Sequence, residues 1–261
     1  TRESMIQRVC RQVQSVAPHI PVTIATAREQ TSLIRRQLGG RVNISIEPCR
    51  RDTFPAIALV AAYLHEVRGV MPDEAVAVCP ADPYVEEGYF HAVIHLLQSA
   101  QREEAARLIL MGIEPTYPSE KYGYIMPAAR AAESAVISFR EKPDEQTAAA
   151  YIAQGALWNS GVFACRLGYA IEKAQELLGI ASYEKLFHQY EELPKISFDY
   201  AVVEKETSIA VQRYGGTWLD VGTWNTLAQV MPECTIGPVT LDETCADVHV
   251  VSTLPMPILC M

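Results

Sequence analysis

Apolar positions recur along this chain with two alternating periods. In "SMIQRVCRQVQSV" (4–16) residues 5, 6, 9, 13 and 16 are apolar, a stripe that predicts a helix. "PVTIAT" (21–26) lacks that spacing and predicts a short buried strand. "REQTSLIRRQL" (28–38) returns to helical spacing and stops at Gly39 and Gly40. "VNISIEP" (42–48) alternates as a strand does. "FPAIALVAAYLHEVRG" (54–69) predicts a helix with Pro55 in its first turn and Gly69 at its end. "EAVAVCP" (74–80) then predicts a strand, "EEGYFHAVIHLLQSAQ" (86–101) a helix and "RLILMGI" (107–113) a strand.

Near-continuous apolar strands alternating with helices imply a parallel sheet covered on both faces. The expected fold class is therefore α/β, with a Rossmann-like, mostly parallel mixed sheet. The pattern loosens after residue 115. A strand is expected at 135–140 and a helix at 144–155. "LWNSGVFACR" (157–166) predicts strand, turn and strand. Helices follow at 167–178, 182–190 and 198–205, then an extended segment at 207–214 and a helix at 221–231 closed by Pro232. Beyond it the chain turns rich in Thr, Val, Asp and Cys. That shift places a domain boundary between 1–231 and a small β-rich tail, 232–261.

The chain has 261 residues, 49% of them apolar, so a large core can be buried. Its net charge of −9 argues against a nucleic-acid groove, which needs a basic stripe. Seven scattered cysteines, an odd number with no C-x-x-C, point to reduced thiols and a cytoplasmic protein. No apolar run is long enough for a membrane span. The first residues already resemble the turns of a helix and the last lie in an apolar run. The chain is expected to be part of a longer protein.

Candidate chemistry collects at strand ends, where open α/β sheets bind ligands. Asp82 in "CPADPYV" follows a strand and is held between Pro80 and Pro83, either as a helix cap or as a hard-metal ligand. Asp220 in "WLDVGTWN" has the same character. In "FREKPD" (139–144), Glu141 and Lys142 point to opposite faces if extended, so a carboxylate for hydroxyls and an ammonium for a phosphate are separated. "WNSGVF" (158–163) suits either a polyol-binding wall or a tight hairpin. Gly123, between two tyrosines, marks a close approach. Arg50, Arg51 and Asp52 precede a helix N-terminus and offer either an anion or base-edge site or a solvated loop. His91 and His95 lie four apart on a helix, but no third ligand accompanies them and an ordinary helix face is the default.

The ordered series "EPCRRDTFPAIALVAAYL", "CPADPYV", "GIEPTYPSEKYGYI", "FREKPD", "LWNSGVFACR", "SFDYAVVEK" and "WLDVGTWN" resembles the mannose-1-phosphate guanylyltransferases, or GDP-mannose pyrophosphorylases, of the sugar nucleotidyltransferases. The likeness covers residues 1–231. It implies a nucleotidyltransferase domain followed by a β-rich, often left-handed helical tail. It also implies transfer of a guanylyl group from GTP to mannose 1-phosphate with Mg²⁺, and leaves a homodimer open. By the same resemblance Asp82 and Asp220 hold the metal, Glu141 accepts sugar hydroxyls and Lys142 lies near the sugar phosphate. Gly123 and Asn159 belong to the sugar pocket, and Glu47 through Arg51, Asp52 and Pro55 form the guanine-facing loop. The glycine-rich phosphate loop of the family would precede residue 1. Asp52 stands where many members have asparagine. Two other readings stay open: a transferase for another base or hexose, and a silent paralogue that binds sugar nucleotides. Two metal carboxylates argue against the last.

Overall fold

The computed structural model describes residues 3–231 and 233–260. The elements are α1 (Met5–Val16), β1 (Thr23–Ala27), α2 (Thr31–Leu38), β2 (Asn43–Glu47), α3 (Thr53–Glu66), β3 (Ala75–Val78), β4 (Pro83–Val85), α4 (Gly88–Ala100) and β5 (Leu108–Ile113). Then come β6 (Tyr124–Pro127), β7 (Glu133–Arg140), α5 (Glu145–Ala153), β8 (Leu157–Arg166), α6 (Leu167–Leu178), α7 (Tyr183–His188), α8 (Phe198–Ala201) and β9 (Ile209–Tyr214). The chain continues through β10 (Trp218–Asp220), α9 (Trp224–Val230), β11 (Thr235–Ile236), β12 (Val239–Leu241), β13 (Val250–Val251) and β14 (Ile258–Cys260). They form two compact units. One runs to Ala81 and resumes from Glu87 to Gly216; the other joins Asp82–Glu86 to the chain from Thr217 onward. The boundary expected after residue 231 falls at Pro232, outside the described residues.

In the first unit β1 and β2 pair in parallel. The main sheet has the order β3-β8-β5-β9-β7-β6, and β6 also pairs with β8. Strands β8, β5, β9, β7 and β6 therefore close into a five-stranded barrel. Within this sheet only β5 and β9 run parallel. The expectation of a mostly parallel sheet is corrected accordingly. An apolar run shows that both faces of a strand are covered and says nothing of its neighbour's direction. Coverage itself follows the sequence. Leu108 and Leu110 of β5 join the core formed with Phe54 and Ile57 of α3 and with Tyr169 and Ala170 of α6. The alternate residues Ile109 and Met111 are equally buried on the other face, and α4 packs against β5.

The expected turn inside 157–166 is also corrected. β8 is one ten-residue strand. Its register against β5 jumps from Leu110↔Phe163 to Gly112↔Asn159, so Ser160, Gly161 and Val162 form a bulge. Gly161 takes φ +73° there, and an added Cβ would stand 3.3 Å from Pro80. Ser160 Oγ donates to the Met111 carbonyl at 2.8 Å, occupying an acceptor that the bulge displaces from the ladder. The second unit contains the antiparallel pair β4–β10 and two short parallel pairs, β11–β13 and β12–β14.

Candidate active site

Trp158 anchors one wall of the candidate site in the first unit. It is buried between Tyr117 and Tyr122, each with its ring centre 5.0 Å away. Its Nε1–H donates to Tyr124 Oη at 3.0 Å, and that hydroxyl donates to the Ser119 carbonyl. These contacts hold the 115–123 loop against β8. The next residue, Asn159, donates its backbone N–H to the Gly123 carbonyl at 2.8 Å.

Glu141 lies just past β7 and is only 9% exposed. Its Oε1 meets Lys142 Nζ at 3.0 Å. Its Oε2 is buried without a hydrogen-bond partner. A Cβ on residue 123 would stand 2.5 Å from that oxygen, so Gly123 is the residue that admits the carboxylate. Burial raises the Glu141 carboxyl above its ordinary value, against the pull of Lys142. Lys142 is raised in turn, chiefly by its hydrogen bond to Glu141, and stays an ammonium. Lys142 takes φ +45°, a sparsely populated conformation for a residue with a side chain, and such strain gathers at working sites. The two side chains meet although neighbours in a strand would diverge, because Lys142 has left the extended backbone.

Asp199 was not singled out in the sequence. It sits in the first turn of α8, which Ser197 caps. Its Oδ1 accepts from Asn159 Nδ2 at 2.7 Å. Asn159 Oδ1 accepts from the Gly161 N–H at 3.2 Å, so the amide is held at both ends. Burial raises the Asp199 carboxyl, with Asn159 and Lys142 opposing the shift. The only sequence signal was an acidic residue in "SFDY", which alone reads as a helix start.

The expected base-facing loop is engaged with the chain's own 190–191 segment. Glu47 Oε2 accepts from Tyr190 Oη at 2.9 Å, and burial raises the Glu47 carboxyl. Arg51 donates to the Tyr190 carbonyl at 3.3 Å and also to the Glu191 carbonyl. Asp52, at φ +69°, caps α3 through a 2.7 Å bond from the Thr53 N–H. Pro55 is buried in the first turn of α3. His95, by contrast, bonds Gln212 through Nδ1 at 2.8 Å and belongs to the helix–sheet packing.

In the second unit, Asp220 at the end of β10 pairs with Pro83 of β4. Asp82 is the residue before Pro83, so one ladder brings both carboxylates to one end. Both residues are exposed. Asp220 Oδ1 accepts from the Gly222 N–H at 2.9 Å. Among the described residues no group of three or more His, Cys, Asp or Glu gathers to hold a metal. Two carboxylates fit a hard cation such as Mg²⁺, which takes one or two of them and completes its shell with water and substrate phosphate. No helix among the described residues is long and apolar enough to cross a membrane. The seven cysteines form no disulfide, and burial pushes the Cys79 and Cys165 thiols up to about 12.

The family Nucleotidyl transferase matches residues 1–236. The xanthan biosynthesis protein XanB of Xanthomonas campestris pv. campestris (strain B100) is 32% identical over 248 residues, covering 87% of this chain and 52% of that protein. A mannose-1-phosphate guanylyltransferase of Escherichia coli is 32% identical over 259 residues, covering 89% of this chain and 54% of that protein. The chain thus spans about half the length of these curated relatives. Among solved structures, one described as mannose-1-phosphate geranyltransferase from Thermus thermophilus superposes with a TM-score of 0.74 at 28% identity, covering 98% of this chain and 81% of that one. A UDP-glucose pyrophosphorylase complexed with UDP-glucose superposes at 0.58 with 16% identity, over 86% of this chain and 84% of that one, and shares the fold. With its family match extending over most of its length, the chain belongs to the nucleotidyl transferase family.

Proposed function

We propose that this chain carries the nucleotidyl-transfer and sugar-binding surfaces of a mannose-1-phosphate guanylyltransferase, which makes GDP-mannose and pyrophosphate from GTP and mannose 1-phosphate. One observation carries the reading. Glu141 holds a buried, unpartnered carboxylate oxygen beside the Lys142 ammonium. An unsatisfied buried acceptor is costly, and a sugar hydroxyl satisfies it. The adjacent cation suits the same ligand's phosphate. Names and coverage of the guanylyltransferase relatives support the choice of substrates.

In this reading a phosphate oxygen of mannose 1-phosphate attacks the α-phosphorus of GTP. The new O–P bond forms as the bond from the α-phosphorus to the bridging oxygen breaks, and pyrophosphate leaves. The nucleophile is already anionic near neutral pH, so no strong base is required. The chain's work is alignment and charge neutralisation. Lys142 neutralises the sugar phosphate. Glu141 and the Asn159 amide fix the ring, with Asp199 setting the amide's orientation. Glu47, Arg51, Asp52 and Pro55 shape the base-facing side. Asp82 and Asp220 would hold Mg²⁺, which would supply charge stabilisation to phosphate. The parallel pairs of the tail support a β-helical continuation, and the free thiols suit a reducing, cytoplasmic setting. Glu141→Gln tests the assignment. The KM for mannose 1-phosphate should rise about tenfold or more while that for GTP holds. A rise confined to GTP would reassign this wall to the nucleotide.

A further inference from the structure

A pocket lies in the first unit where the ends of β5 and β9 meet the β6–β7 connection and the turn before β8. Its volume is about 360 Å³, and Glu114, Arg130, Ile152, Gly155 and Arg213 line it together with Pro115. None of these residues takes part in the chemistry above.

Two guanidinium groups reach this pocket from separate elements. Arg213, the next-to-last residue of β9, is in register with Gly112 of β5, and its backbone N–H donates to the Ala132 carbonyl at 2.8 Å. That bond ties β9 to the β6–β7 connection that carries Arg130. Arg213 Nη1 pairs with Glu114, whereas its Nη2 is buried without a partner. Arg130 is exposed and has no hydrogen bond or ion pair among the described residues. Its guanidinium nevertheless packs over Gly155. A Cβ at that position would stand 3.3 Å from Arg130 Nε and 3.4 Å from Nη2. Gly155 also takes φ +92°, a backbone conformation that favours glycine there.

The charge is unbalanced. Arginine stays protonated in proteins, so two guanidinium groups face one carboxylate. A planar fork with free N–H groups matches phosphate oxygens in pairs. Pro115 and Ile152 offer an apolar wall for a carbon skeleton. The volume is near the lower end of the range of roughly 300–1,000 Å³ for small-molecule sites, which suits a compact ligand. We propose that this pocket binds the phosphate group of a small molecule, either free phosphate or a compact phosphate monoester, between Arg130 and Arg213. The site is separate from the nucleotidyl-transfer reading and does not depend on it.

Hydrogen–deuterium exchange of the intact protein, without nucleotide or mannose 1-phosphate, tests this. Inorganic phosphate and glucose 6-phosphate are compared with chloride at equal ionic strength. Exchange should slow over 128–133 and 152–157 with the phosphates and not with chloride. Arg130→Gln should weaken that protection about tenfold, the size expected for one charge-assisted contact, without lowering Tm. Arg130→Lys should fall between the two, because it keeps the charge and loses the fork. Protection by both ligands assigns a monoester site, and protection by inorganic phosphate alone assigns a free-phosphate site. No protection of these segments overturns the proposal. So does equal protection by chloride, or protection unchanged in Arg130→Gln.

Discussion

Asn159 and Asp199 lie forty positions apart, and their side chains meet at 2.7 Å. The bulge in β8 and the Ser197 cap of α8 bring them together. Asp199 accepts from the amide nitrogen while the Gly161 N–H donates to the amide oxygen, so the Asn159 side chain has one orientation. If that orientation serves the sugar, Asp199→Ala should raise the KM for mannose 1-phosphate about tenfold with little change for GTP. The double variant with Asn159→Ala should be no worse than Asn159→Ala alone. Strictly additive losses would separate the two residues.

Burial raises the Asp199 carboxyl, and this has a sign for stability. The folded state holds its proton to higher pH than the unfolded chain. The stability it contributes is therefore present at low pH and is lost as pH rises through the folded pKa. Asp199→Asn removes that dependence while keeping an oxygen acceptor for Asn159. Its Tm relative to wild type should climb as pH rises above the ordinary aspartate range, by roughly 2–4 °C per kcal/mol. Lys142 and Asp52 also act on this carboxyl, so the scan should be repeated in Lys142→Met. A Tm difference that stays flat in both backgrounds would contradict the buried-acid account.

Gly123→Ala probes the close approach at Glu141. The new methyl would stand 2.5 Å from Glu141 Oε2 and 2.8 Å from Phe139 Cζ, so something must move. Overpacking of this kind costs about 1–3 kcal/mol. Thermal denaturation should show the loss, and the KM for mannose 1-phosphate should rise because the displaced group is Glu141. Wild-type values for both would mean that the wall is softer than the geometry indicates.

Asp82→Asn and Asp220→Asn should each lower kcat by a factor of about 10²–10³, the usual cost of losing one electrostatic stabiliser. Both residues are exposed, so Tm should hold. A Mg²⁺ titration monitored by activity should shift to higher concentration in each variant. Unchanged kcat at saturating Mg²⁺ would remove these carboxylates from the metal.

Apart from β4, helix and strand positions through β5 were legible because amphipathic spacing and apolar runs are local properties. Strand direction was not, because it depends on partners far along the chain. "WNSGVF" was read as a turn from its small polar residues, yet the same residues serve a bulge, where Gly161 supplies the positive φ and Ser160 Oγ bonds the displaced carbonyl. β4 and β10, with three residues each, are too short to leave a period. Glu141, Lys142 and Asn159 could be named from motif chemistry. Asp199 could not, because its meaning comes from a contact across the fold.

The most direct test of the central claim is pyrophosphate release by the protein with Mg²⁺, with the four nucleoside triphosphates crossed against mannose, glucose and galactose 1-phosphates. GTP with mannose 1-phosphate should give the highest kcat/KM, and GDP-mannose should form in equal amount to pyrophosphate. No release from any pair, or a higher kcat/KM for another base or hexose, would contradict the account.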